Sequence, residues 1–197
     1  YHILQGVDLA LPRDGMTVLL GRNGAGKTTT LRTIMGLWKP SRGTVIFAGR
    51  SIGGLATPDI AQAGIAYVPE TMAVFADLTV AENMVLAARS GPLDPARLDW
   101  IFGLFPALKK FWQFPAGVLS GGQKLILIDE PTKGIAPAII EAMITAFAEL
   151  KRETTILLVE QNFRFAASLG DQVAVMDDGR IVHRGAMADL ARDEALQ

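Results

Sequence analysis

The residues with the plainest chemical purpose run from Gly21 to Thr28. The string Gly21-Arg22-Asn23-Gly24-Ala25-Gly26-Lys27-Thr28 fits the spacing GxxxxGK[ST]. Its glycines let backbone N–H groups turn inward, and the anion they suit is a chain of phosphates. Lys27 is placed to reach the β- and γ-phosphates, and the Thr28 hydroxyl to ligate Mg2+. Asn23, Gly24, Ala25, Gly26, Lys27, Thr28 and Thr29 are the candidate phosphate-binding residues. A glycine-rich turn can match by chance, but an apolar strand before it and helical composition after it are the context the motif needs. A second string, Leu125-Ile126-Leu127-Ile128-Asp129-Glu130, is an apolar strand ending in two carboxylates. Asp129 would hold Mg2+ through water, and Glu130 would polarise an attacking water as general base. Many buried strands end in acidic residues at the solvent edge, so this pair gains its meaning from the phosphate loop.

The elements that must position these groups alternate along the chain. Strands are expected at Thr17 to Leu20, Thr44 to Phe47, Ile65 to Val68, Leu125 to Ile128, Thr155 to Val159 and Val173 to Met176. Thr28 to Leu37 has helical composition and is stopped by Gly36 and Pro40. Thr79-Val80-Ala81-Glu82 has capping-box spacing, and Asp94-Pro95 reads as an N-cap followed by a first helical position. Ile139, Ile140, Met143, Ile144, Phe147 and Leu150 recur at helical spacing. Asp178-Gly179 should turn a hairpin into Ile181-Val182. Strands separated by helices predict an α/β fold with a mostly parallel sheet.

Composition narrows the classes. The 197 residues are half hydrophobic, and mean hydropathy is +0.29. Parallel strands buried on both faces, or a surface docked on a membrane protein, would account for that. With 19 Lys+Arg against 20 Asp+Glu the net charge is −1, which argues against a dedicated nucleic-acid binder. No cysteine is present, so disulfides and thiolate metal sites are excluded. No apolar run is long enough to cross a bilayer, and no signal peptide is visible, so the expected compartment is the cytoplasm. The chain starts at Tyr1 rather than Met, so a preceding segment is expected.

A third string, Leu119-Ser120-Gly121-Gly122-Gln123, lies shortly before the acidic strand. LSGGQ between a phosphate loop and a D-E strand resembles the signature of ATP-binding cassette (ABC) ATPases, and the resemblance covers nearly the whole chain. It implies a P-loop core with antiparallel edge strands and a small helical subdomain near residues 72–122, all within one domain, 1–197. It implies ATP and Mg2+ as ligands, and a second ABC ATPase subunit paired head to tail. Ser120, Gly121, Gly122 and Gln123 would then face the partner's ATP, where small residues admit close backbone approach to an anion. The remaining partners would be transmembrane permease subunits and, indirectly, an extracytoplasmic solute-binding protein. The subunit would sit peripherally on the inner face of the cell membrane.

Two positions depart from the commonest family pattern. Glu70 follows Tyr67-Val68-Pro69 where a Gln touching Mg2+ and water is usual, and Gln161 stands where a switch His is expected. Neither His2 nor His183 fits that role. With V-P-E, L-V-E-Q-N and D-E-P-T-K-G-I-A-P the chain resembles the importers of branched-chain amino acids and of urea or short amides. In that branch Ala136 replaces the usual Asp. Glu70, Glu130 and Gln161 are accordingly the candidate catalytic residues, and Thr28, Asp129 and Glu70 the candidate metal ligands. Gln161 can donate a hydrogen bond to the γ-phosphate but cannot carry a proton. Hydrolysis coupled to import is the expectation, with branched-chain amino acids as the first choice of solute and urea or short amides as the alternative. A non-transport ABC ATPase and a non-hydrolysing nucleotide sensor remain as alternatives.

Other residues divide between core and surface. Of Trp100, Phe102, Phe105, Phe111 and Trp112, most are read as the core of the helical subdomain rather than a groove for a permease. Met72 to Leu78 is the stretch the resemblance places against the membrane subunit. Tyr1 is read as a strand-edge residue rather than the adenine stacker. Only Lys124 joins the signature to the strand at Leu125, whereas the resemblance implies a helix of several turns there. A parallel strand also needs a crossover of about a dozen residues. A break beside Lys124 or a genuine deletion is therefore expected, with disorder favoured.

Overall fold

The computed structural model describes residues 3–70, 75, 77–87, 92–110, 112–113 and 125–192. In chain order the elements are β1 (Gly15–Leu20), α1 (Lys27–Ile34), β2 (Ile46–Phe47), β3 (Arg50–Ser51), α2 (Thr57–Gln62), β4 (Ile65–Val68), α3 (Val80–Ala87), α4 (Pro95–Leu104) and α5 (Pro106–Lys110). They continue with β5 (Leu125–Asp129), α6 (Pro137–Leu150), β6 (Thr155–Glu160), α7 (Phe163–Leu169), β7 (Gln172–Asp177), β8 (Arg180–Ala186) and α8 (Met187–Leu190). Six strands form one sheet in the order β4-β5-β6-β1-β7-β8. Every neighbouring pair in it is parallel except β7 with β8, which forms the antiparallel edge. The pair β2–β3 makes a separate two-stranded ribbon.

The apolar strands are explained by burial on both faces. Met16, Val18 and Leu20 of β1 join Ile126, Ile128, Ile156 and Leu158 on one face, packed against α6, α7 and α8. Leu19 joins Leu125, Leu127, Leu157 and Val159 on the other, packed against α1 and α2. Because side chains alternate along a strand, two-sided cover needs an uninterrupted apolar run. Each such residue removed from water contributes about 1.5–3 kcal/mol.

Local signals set the element ends. Thr79 and Glu82 close the expected capping box at α3, with Thr79 N–H donating to Glu82 Oε2 at 2.8 Å and Glu82 N–H to Thr79 Oγ1 at 3.1 Å. Asp94 caps α4 by accepting the Ala96 N–H at 3.0 Å. Asp178 and Gly179 both have positive φ, 40° and 71°, as a two-residue hairpin of this hand requires. The strand expected from Thr44 pairs only at Ile46–Phe47, because β3 offers it just two partners.

Helices α3 to α5 lie between β4 and β5 in the chain and build a third cluster, in which Val80, Met84 and Ile101 are buried with Trp100, Leu108 and Trp112 packed on them. Phe102 meets Trp112 edge-on at 5.1 Å. Trp100 and Trp112 thus pack on this core, as expected, while Phe102 reaches it through Trp112 and Phe105 is half-buried outside it; Phe111 lies outside the described residues. Phe75 is exposed, and the rest of the stretch Met72 to Leu78 is described only at Asp77 and Leu78.

The topology corrects one expectation. β5 pairs in parallel with β4 on one side and β6 on the other. Its crossover is the whole segment between β4 and β5, with α3, α4 and α5 in it, so Lys124 alone does not have to supply it. The signature residues Ser120, Gly121, Gly122 and Gln123, the suspected break at Lys124, Tyr1 and His2 lie outside the described residues. Among the described residues no helix is long and apolar enough to cross a membrane.

Candidate functional site

Four parallel strands end at one edge of the sheet, and their C-terminal ends carry the candidate residues. Leu20 pairs with Glu160, Asp129 with Val159 and Val68 with Ile128. That register gathers the loop after β1, the carboxylates after β5, Gln161 after β6 and Glu70 after β4. Crevices at such strand ends are where open α/β sheets bind ligands.

The phosphate loop takes its shape from positions 21 to 26. Gly24 and Gly26 have φ of 84° and 106°, in the left-handed region that costs glycine nothing. A Cβ on Gly21 would stand 2.4 Å from the Met176 carbonyl oxygen, so β7 can approach the loop only because no side chain is there. Gly26 caps α1 without any side-chain hydrogen bond, leaving the helix's first N–H groups for a ligand.

Lys27 is buried and turned back into its own loop. Its ammonium donates to the carbonyls of Gly21 at 2.8 Å and Arg22 at 3.2 Å, and lies 3.3 Å from Glu130 Oε1. Both partners of this ion pair are nearly sealed from water, 4% and 6% exposed. Gln161 Nε2 donates to the other oxygen, Glu130 Oε2, at 2.8 Å. Glu130 itself has φ 45°, an unusual backbone for a non-glycine residue, held by its N–H bond to the Val159 carbonyl at 2.9 Å.

Beside it, Thr28 Oγ1 donates to Asp129 Oδ1 at 3.1 Å, and the Tyr67 hydroxyl to Asp129 Oδ2 at 3.3 Å. Burial pushes the Asp129 pKa up; the charges of Glu130 and Glu70 add to that, while the hydrogen bonds from Thr28 and Tyr67 oppose it. Tyr67 is raised too, by burial first and then by the charge of Asp129. A carboxylate that burial disfavours in its charged form is one that a cation would relieve. Thr28 and Asp129 are adjacent hard oxygen donors of the kind Mg2+ takes, so they fit it. Among the described residues no group of three or more His, Cys, Asp or Glu could hold a metal, so phosphate and water oxygens must complete the shell. Glu70 pairs with Lys133, whose ammonium also lies 4.0 Å from Glu130 Oε2.

Sequence reasoning missed three residues here. Tyr67 sits opposite Leu127 and so on the same sheet face as Asp129, a relation visible only once β4 is paired with β5. Lys133 lies in the turn after Glu130. Glu160 is 1% exposed and accepts from Thr132 N–H and Oγ1, Gln161 N–H and Asn162 N–H. It stitches the turn carrying Lys133 to the segment carrying Gln161.

With this geometry in view, the chain can be set beside known proteins. The ABC transporter family model matches residues 4–133. The chain is 36% identical to the high-affinity branched-chain amino acid transport ATP-binding protein BraG of Pseudomonas aeruginosa, with 91% of this chain and 84% of the relative covered. It is 33% identical to "Probable branched-chain amino acid transport ATP-binding protein LivF" of Archaeoglobus fulgidus, covering all of this chain and 91% of that one. The second alignment runs over 214 positions, more than the 197 residues here, so that relative holds residues in this span that the present chain lacks. A solved ATP-binding subunit of an ABC transporter superposes with a TM-score of 0.80 at 28% identity, covering 98% of this chain and 88% of that one. A nucleotide-free ATP-binding cassette shares the fold, with a TM-score of 0.78 over 98% of this chain and 90% of that one at 23% identity. The chain belongs to the ABC transporter family, as an ATP-binding, ATP-hydrolysing cassette.

Proposed function

We propose that this cassette hydrolyses MgATP to drive an importer of branched-chain amino acids. The observation that carries the catalytic reading is the Glu130 carboxylate, held between Lys27 and Gln161 next to Thr28 and Asp129. The solute rests on the likeness to BraG and LivF along nearly the whole chain, joined to V-P-E and L-V-E-Q-N.

In this reading the N–H groups of residues 23–29 bind the phosphates. Lys27 leaves Gly21, Arg22 and Glu130 for the β- and γ-phosphates. Glu130, freed of Lys27, accepts a proton from the water that attacks the γ-phosphorus, and ADP leaves. Gln161 orients Glu130 through its amide and can turn that amide toward the γ-phosphate. Thr28 and Asp129 would hold Mg2+, with Glu70 at its edge; when bound, the ion neutralises phosphate charge. Tyr67 keeps Asp129 aimed.

Residues 72–122 would form a small helical subdomain. Ser120, Gly121, Gly122 and Gln123 would meet the ATP of a second cassette in a head-to-tail dimer. Permease subunits would bind the pair at the inner face of the membrane, and an extracytoplasmic binding protein would deliver the solute.

The test reconstitutes the cassette with its permease pair in vesicles and follows ATP hydrolysis and uptake of labelled leucine and urea. ATP-dependent leucine uptake is expected. Urea uptake in its place would move the assignment to the urea and short-amide importers. No hydrolysis, with or without the permease, would overturn the catalytic reading.

A further inference from the structure

Glu70, Asp129 and Glu130 gather three carboxylates at the crevice where ATP's own negative charge must arrive. Their mutual influence is felt at Asp129, which both of the others disfavour in its charged form. Two lysines face this group. Lys27 is committed to Glu130 Oε1 in the present arrangement and, in the reading above, moves to the phosphates when ATP binds. Lys133 is the described cation that contacts both Glu70 and Glu130, through an ion pair to Glu70 Oε1 and a 4.0 Å approach to Glu130 Oε2. Its backbone is fixed from both sides. Its N–H donates to the Glu130 carbonyl at 3.2 Å, and its neighbour Thr132 donates twice to the buried Glu160. A flexible side chain is thus launched from an anchored turn toward the two carboxylates that border the attacking water's place.

We propose that Lys133 is a positioning residue for hydrolysis: it carries the charge of Glu70 and keeps Glu130 aimed once Lys27 has gone to the phosphates. The proposal rests on the assignment of Glu130 as base. It explains how a carboxylate at position 70 can border an anionic ligand, since the pair Glu70–Lys133 is neutral as a unit. It also separates Lys133 from an ordinary surface pair. At 58% side-chain exposure its ion pairs are screened by water and add little to folding, so its effect should be read in turnover and not in stability.

The test uses the cassette assembled with its permease and compares wild type, Lys133→Ala, Lys133→Arg, Glu70→Gln and the double variant Glu70→Gln/Lys133→Ala. Lys133→Ala should lower kcat about tenfold while KM for ATP stays within about threefold, and Lys133→Arg should recover most of the loss. Whatever Glu70→Gln does alone, adding Lys133→Ala to it should cost less than Lys133→Ala costs by itself, because a neutral amide has no charge to compensate and only the aiming of Glu130 is left to lose. Melting temperature should stay within about 2 °C of wild type. A wild-type kcat for Lys133→Ala, an equal loss in both backgrounds, or a fall in melting temperature that tracks kcat would overturn the proposal. Glu130→Gln, measured alongside, keeps the two claims apart. If it turns over normally, the assignment of the base fails. If it is inactive while the Lys133 and Glu70 effects simply add, only the role of Lys133 fails.

Discussion

Replacing Lys27 by Ala removes a buried cation with three partners, and the consequences fall on two separate quantities. The first is ATP affinity. Lys27 already has Gly21, Arg22 and Glu130 as partners, so ATP gains only the excess of phosphate contacts over these. One charge-assisted hydrogen bond is a fair measure of that excess, about 1.5–3 kcal/mol, or roughly 10- to 150-fold in affinity. The second is the stability of the empty cassette. Without Lys27, the Glu130 carboxylate, 6% exposed, is left with Gln161 at 2.8 Å and Lys133 at 4.0 Å. Breaking a buried pair typically costs about 3–5 kcal/mol, and the two remaining partners should bring this toward about 2–3 kcal/mol. Calorimetric titration with MgATP reads the first quantity, and urea unfolding without nucleotide reads the second. An affinity within threefold of wild type would refute the phosphate role of Lys27. Unchanged unfolding would refute the buried pair with Glu130.

Gln161→Ala removes one neutral donor from Glu130, typically about 0.5–1.5 kcal/mol, so turnover should fall roughly two- to tenfold, and by less than for Glu130→Gln. A larger loss than for Glu130→Gln in the same ATPase assay would reverse that ranking. Asp129→Asn should raise the stability of the empty cassette at neutral pH. The folded pKa of Asp129 lies above its unfolded value, so its contribution is present at low pH and lost as pH rises through the folded pKa; urea midpoints across pH should show a flatter profile in the variant. Tyr67→Phe deletes the 3.3 Å bond to Asp129 Oδ2, and the Mg2+ concentration for half-maximal turnover should rise about two- to tenfold, while no change would deny Tyr67 a part in holding Asp129.

What the sequence made legible was local. The phosphate loop, the apolar strand ending in Asp129 and Glu130, the capping box at Thr79 and the Asp178-Gly179 turn each need only neighbours within a few residues, and each forms as expected. The companions of the site were not legible, because they depend on which strands pair. Tyr67 reaches Asp129 across 62 positions of sequence and Lys133 reaches Glu70 across 63, distances bridged only by the β4–β5 register. The crossover into β5 was misread for the same reason. Lys124 is the residue before β5 in the chain, but the strand's parallel neighbour is β4, and every helix between them belongs to the connection. Short helices such as α2 and α7 left too few turns for periodicity to register.

The central claim is that Glu130 takes the proton of the attacking water. Glu130→Gln tests it most directly, because the amide keeps the shape and loses the base while giving up the ion pair that competes for Lys27. With the permease present, MgATP turnover by this variant should fall at least about a hundredfold. ATP should bind no more weakly than to wild type, and unhydrolysed ATP should be recovered from the variant in a stable cassette dimer. Turnover near the wild-type rate would contradict the account.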